Sequence, residues 1–99
     1  MIDFSNKEMT KSLLAQKAEM FKTIAHPVRL CILAMLIREE QSNVKDIQNC
    51  IDVPQPTVSQ HLAKLKAASI LSSERNGTEI IYKIINEEVK HIVEEILEY

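Results

Sequence analysis

Apolar residues Met9, Leu13, Leu14, Ala18, Phe21 and Ile24 recur at three- and four-residue steps, the period of one helix face. Ser5 stands where an N-cap belongs, so the spacing predicts a first helix over about 5–25. His26-Pro27 interrupts it, because proline disfavours a helical residue before it but suits the first turn of the next helix. A second helix follows from Pro27 to about Arg38, with Val28, Leu30, Cys31, Ile32, Leu33, Met35 and Leu36 apolar on nearly all sides, which places it at the centre of the fold. Asn43 caps a short third helix, Val44 to Ile51, whose Val44, Ile47 and Ile51 form one stripe. Asp52-Val53-Pro54 ends it. A fourth helix runs to about Ala68 with Pro54 at its N-cap, a start that costs about 1 kcal/mol relative to serine.

The only glycine, Gly77, follows Asn76, and Asn-Gly is a strong signal for a two-residue hairpin turn. Strands are expected at about 71–75 and 78–84. A terminal helix begins at Asn86, with Val89, Ile92, Val93, Ile96 and Leu97 at helical spacing. The whole of 1–99 reads as one domain: a helix-turn-helix at about 43–68, a wing at about 71–84, and outer helices at about 5–25 and 86–98. The expected fold is mainly α with a small β-hairpin, a winged helix-turn-helix.

Within the fourth helix, VPQPTVSQHLAKLK, the apolar Val58, Leu62 and Leu65 fall on one side, while Gln55, Thr57, Ser59, Gln60 and Lys64 spread around the rest. Glutamine, threonine and serine both donate and accept hydrogen bonds, which suits base edges in a major groove. Lysines beside them neutralise phosphates and so position a helix without specifying sequence. Arg75 and Asn76 at the hairpin tip are placed to reach a neighbouring minor groove. The plainer alternative is a solvated helix face, and the order short helix, turn, polar helix and hairpin is what favours a DNA reader over it. His61 lies beside the apolar stripe and reads as a packed, hydrogen-bonded histidine rather than a DNA contact.

Composition narrows the classes. Ninety-nine residues, 45% of them apolar, support one core but not two. No apolar run approaches the roughly 20 residues of a membrane span, and MIDFSNKEMTK lacks a signal pattern, so a cytoplasmic protein is expected. The net charge is −2, yet Pro54 to Thr78 carries Lys64, Lys66 and Arg75 against Glu74, while the tail from Ile85 is acidic. There is no glycine-rich phosphate loop and no assembled nucleophile and base, so no enzyme is expected.

FKTIAHPVRLCILAML, DIQNCIDVPQPTVSQHLAKLKAASIL and RNGTEIIYKI, with the closing helix, resemble the ArsR/SmtB family of bacterial winged-helix repressors from about Phe21 to Leu97. KTIAHPVRL and PQPTVSQHL are similar to stretches of its metal-independent PagR-like members. The resemblance implies Gln55, Thr57, Ser59 and Gln60 as base readers, Lys64 near phosphates, and Arg75, Asn76 and Gly77 as the wing. Where metal-sensing members carry Cys-x-Cys, this chain has Asn43-Val44-Lys45; at the family's terminal-helix metal positions it has Asn86, Glu88 and Tyr99, with His91 alone. Zinc takes several such ligands, so no metal or other cofactor is expected. Redox-sensing members pair two cysteines, but Ala34 stands at the nearest matching place on the second helix and the terminal helix has none. Cys31 and Cys50 therefore read as small buried hydrophobes, with a redox switch as the alternative.

The apolar stripe of the last helix can pack on its own domain, yet the first helix has an apolar face too, and this surplus suggests a homodimer. The resemblance implies the same pairing of first and last helices, with Leu13, Val89, Ile92, Val93 and Ile96 as dimerisation residues. The expected function is a sequence-specific regulator that binds double-stranded DNA at a palindromic operator and represses by covering a promoter. The alternative is a winged-helix module that docks a protein partner.

Overall fold

The chain turns by 90° at His26-Pro27, and this corner sets the plan of the molecule. In a computed structural model describing residues 2–98, the elements are α1 (Lys7–Ile24), α2 (Pro27–Glu39), β1 (Ser42–Asn43), α3 (Val44–Ile51), α4 (Gln55–Ala67), β2 (Leu71–Asn76), β3 (Glu79–Ile84) and α5 (Glu87–Leu97). Met1 and Tyr99 lie outside the described residues. No single helix among them is long and apolar enough to cross a membrane.

Four helices start with a side chain that accepts an otherwise orphaned backbone N–H. Asn6 does so for α1, Asn43 for α3 and Asn86 for α5, while His26 Nδ1 accepts from Val28 N at 3.1 Å for α2. The expectation of Ser5 as the first cap is corrected: Asp3 Oδ1 takes both the amide and the hydroxyl of Ser5, at 3.0 and 2.6 Å, and the cap falls to Asn6. α4 has no side-chain cap, as Pro54 at its start implies. It ends with Ser69 in a left-handed conformation, so that Ile70 N–H returns to the Leu65 carbonyl at 3.0 Å and the chain enters the sheet directly.

β2 and β3 pair antiparallel from Leu71↔Ile84 to Asn76↔Glu79. The two loop residues are Gly77 and Thr78, one position later than an Asn-Gly pair at the centre would give. Of these two, Gly77 has positive φ, +66°, and Thr78 does not, which fits a turn with glycine at its first central position, and Asn76 becomes the last residue of the strand. The expected two-stranded hairpin is extended to three strands in the order β1-β3-β2, with Ser42↔Tyr82 and Asn43↔Ile81. β1 is two residues long, too short to show any alternation.

The core is built around α2, whose Ile32, Leu33, Met35 and Leu36 are buried against Ile47, Val58, Leu62, Leu65, Ile70, Leu71, Val89 and Val93. Two sequence expectations fail here. Val89 and Val93 have no exposed surface, so they belong to the chain's own core and cannot form a dimer face. Cys31 and Cys50 are exposed rather than buried. α1 leaves α2 at the corner instead of lying along it, so the side of α2 that carries Cys31 is uncovered; Cys50 lies near the end of the short α3, where it is exposed beside Arg38.

Leu62 is enclosed on all sides, and Leu62→Ala should cost about 2–5 kcal/mol, read as a lower urea midpoint with little change in slope. A loss under about 1 kcal/mol would contradict the packing described.

Candidate nucleic-acid interface

α4 is held by Val58, Leu62 and Leu65, each with 0% of its surface exposed. Three anchors within two turns fix the rotation of the helix about its own axis, so the positions opposite them face solvent. Ser59, Gln60 and Lys64 are exposed around the rest of the helix, Gln55 is exposed in its first turn, and Thr57 is half-buried. The sheet brings Arg75, Asn76 and Gly77 to an exposed tip. The outer face of α4 therefore presents amides, a hydroxyl and an ammonium group with no protein partner hydrogen-bonded to them among the described residues.

α3 and the wing are joined by one side chain. Asn43 Oδ1 accepts from Asp46 N at 2.8 Å to cap α3, while its Nδ2 donates to Glu79 Oε1 at 3.0 Å on the first residue of β3. The position of the hairpin is thus coupled to the start of the helix-turn-helix. The sequence showed the cap but not the second bond.

On its other flank α4 is tied to α2 and α1 through His61, which is half-buried as its place beside the apolar stripe implies. Arg29 Nε donates to His61 Nδ1 at 3.1 Å, and Arg29 Nη1 donates to the Thr23 carbonyl at 2.8 Å. The His26 ring lies 4.3 Å from the His61 ring, centroid to centroid. Both Nδ1 atoms accept hydrogen bonds, so these contacts need both rings unprotonated at Nδ1. Burial pushes the His61 pKa below the ordinary histidine range, and His26, Arg29 and Lys64 push it the same way. Sequence reasoning missed Arg29; its only signal was its place one turn after His26 on α2.

The other named residues scatter. Cys50 Sγ lies 3.9 Å from Arg38 Nη2, and Cys31 is on α2, so the two thiols share no bond. His91 lies 3.6 Å from Glu94, and among the described residues no group of three histidine, cysteine, aspartate or glutamate side chains is placed to hold a metal ion. Of the dimerisation residues, Ile92 is half-buried, Leu13 is 36% exposed and Ile96 57% exposed; Met9, Leu14, Phe21 and Leu97 add further exposed apolar surface on the same two helices.

A helix-turn-helix domain family matches residues 24–74. The chain is 40% identical over 83 residues to the HTH-type transcriptional repressor SmtB of Mycobacterium tuberculosis, covering 84% of this chain and 61% of that one. It thus spans about three-fifths of the length of that relative. It is 42% identical over 80 residues to the transcriptional repressor PagR of Bacillus anthracis, covering 81% of this chain and 80% of PagR. The PagR crystal structure superposes with a TM-score of 0.79 at 40% identity, over 87% of this chain and 98% of that one. The solution structure of a homodimeric winged helix-turn-helix DNA-binding domain from Mycobacterium bovis superposes at 0.80, with 27% identity over 93% and 84% of the two chains.

The His61 contacts give a pH dependence of folding. In the unfolded chain His61 takes up a proton as pH falls through about 6.5, whereas the folded chain resists doing so. The unfolded state then binds more protons, so this contribution to stability is complete above about pH 6.5 and is lost as pH falls below it. The unfolding temperature of the parent should fall as pH drops below about 6.5, and His61→Gln should flatten that decline. Equal declines in the two proteins would remove His61 as the cause.

Proposed function

Because the chain belongs to the ArsR/SmtB family of winged helix-turn-helix regulators, we propose that it is a homodimeric, sequence-specific DNA-binding repressor that acts in the cytoplasm by covering its promoter. The observation that carries this reading is the division of α4 into a fully buried apolar stripe and an exposed polar remainder that carries Gln55 in the first turn, Ser59, Gln60 and Lys64. With Thr57, these residues meet base edges and phosphates in a major groove, and Arg75, Asn76 and Gly77 follow the backbone into the adjoining minor groove. The 43–68 segment is the reader and 71–84 the wing. Relatives named as transcriptional repressors favour this reading over a protein-docking module.

Dimerisation uses the outer apolar surface: Leu13 with Met9, Leu14 and Phe21 on α1, and Ile96 and Leu97 beside the half-buried Ile92 on α5. α1 meets the core of its own chain through Ile24 and the partly buried Met20, so Met9, Leu13, Leu14 and Phe21 are left free to pack on a second copy. Two copies related by a two-fold axis carry two α4 helices to major grooves about one helical turn apart, which matches a palindromic operator.

Selection of bound duplexes from a random pool should return a palindrome with that spacing, and a pool left unenriched would refute sequence-specific binding. Gln60→Ala should cost about 1–3 kcal/mol on the selected site and relax preference at one position, whereas Lys64→Ala should weaken all sequences alike. Leu13→Glu should yield folded monomers in sedimentation and lose most DNA affinity; a dimer retained in that variant would exclude α1 from the interface.

A further inference from the structure

Beside the base-reading side of α4 lies an open cleft of about 460 Å³ whose walls come from three helices: Lys22 and Thr23 from the end of α1, Arg29 from α2, and Lys64, Ala67 and Ala68 from the end of α4. Three of its six lining residues are cationic and none is acidic, in a chain whose net charge is −2. Arg29 is held in place by its bonds to His61 and the Thr23 carbonyl, which leave Nη2 without a protein partner among the described residues and not sealed from solvent. Among the described residues Lys22 is paired only with Glu19, at 3.3 Å, with both side chains about three-quarters exposed (75% and 74%). So exposed a pair is weak and yields readily to a better anion.

We propose that this cleft grips a phosphate of the DNA backbone at the flank of the half-site, with Lys22 and Arg29 acting together with Lys64. The inference rests on the groove-reading role of α4 proposed above and extends it to residues outside the helix-turn-helix. Lys64 lies one turn after Gln60, so the cleft begins where the base-reading side ends. A guanidinium fixed by two internal bonds offers its remaining edge without further ordering, the arrangement that suits phosphate oxygens. The cleft is open and lacks a large apolar floor, which fits one group on a polymer better than an enclosed small molecule. Free inorganic phosphate has the same chemistry and is the competing occupant.

The test is DNA affinity as a function of salt for the parent, Lys22→Ala and Glu19→Gln, each on the selected duplex and on a scrambled one. Lys22→Ala should weaken both duplexes by the same factor and make the slope of log affinity against log salt shallower by about 0.9 per protomer. Glu19→Gln, which frees Lys22, should tighten both. Lys22 also sits in the last turn of α1, where a cation favours the helix end; that role alone would lower the unfolding temperature and leave the salt slope unchanged. An unchanged slope in folded Lys22→Ala overturns the cleft while leaving groove reading intact. Stabilisation of the parent by inorganic phosphate that disappears in Lys22→Ala, with no change in the DNA slope, makes it a small-anion site and overturns the backbone contact. Failure of the parent to bind any duplex would instead strike the reading of α4, and the cleft with it.

Discussion

Burial of Val58, Leu62 and Leu65 beneath α4 is the contact on which the polar surface of this protein depends. A helix touching its domain through one side chain can roll; one held by three on a single side cannot, because a rotation of about 100° would put an amide or ammonium group where an isobutyl group packs. Full burial of each anchor contributes roughly 1.5–3 kcal/mol before entropy. That outweighs the missing cap at Pro54, worth about 1 kcal/mol, and accounts for an ordered helix that begins without side-chain help. The receiving surface comes from α3, β2 and α2, so the core gathered around the central apolar helix determines how the outer polar one is aimed.

Two small polar linkages refine that aim. Asn43 caps α3 and bonds the start of β3, tying the wing to the helix that precedes the reader. Arg29 joins the end of α1 to His61 on α4. Both sit at the edges of the core, where packing is looser and directed bonds fix orientation. α1 stands apart from this arrangement. Only its end, at Met20 and Ile24, packs on the core, and the exposed row of Met9, Leu13, Leu14 and Phe21 has no cover within the described residues.

Much of this was legible because helical periodicity over ten or more residues is hard to mistake. α3 runs from Val44 to Ile51 as its one-sided stripe implies, and the Pro54 start and Asn86 cap follow from local chemistry. What escaped was non-local. β1 has only two residues and exists through its pairing with β3, some forty positions on. The Arg29–His61 bond spans thirty-two positions, and nothing in the local pattern signals it. The stripe of α5 reads the same whether it faces its own domain or a second copy; the fold divides it, Val89 and Val93 inward and Ile96 and Leu97 outward. Cys31 misled because an apolar run predicts burial on all sides only if something wraps every side, and the corner at Pro27 carries α1 away. The polar residues of α4 were recognisable as a group from their opposition to the stripe, but Lys22 was not, since its neighbours in the cleft come from other helices.

The central claim is that the exposed side of α4 meets nucleic acid. Its most direct test is to follow the backbone amide resonances of the protein while a duplex carrying its selected site is added. Groove reading requires the largest changes from Gln55 to Lys64 and again from Arg75 to Gly77, with the buried amides of α2 nearly still. Changes concentrated on the acidic face of α5, with α4 silent, would contradict it.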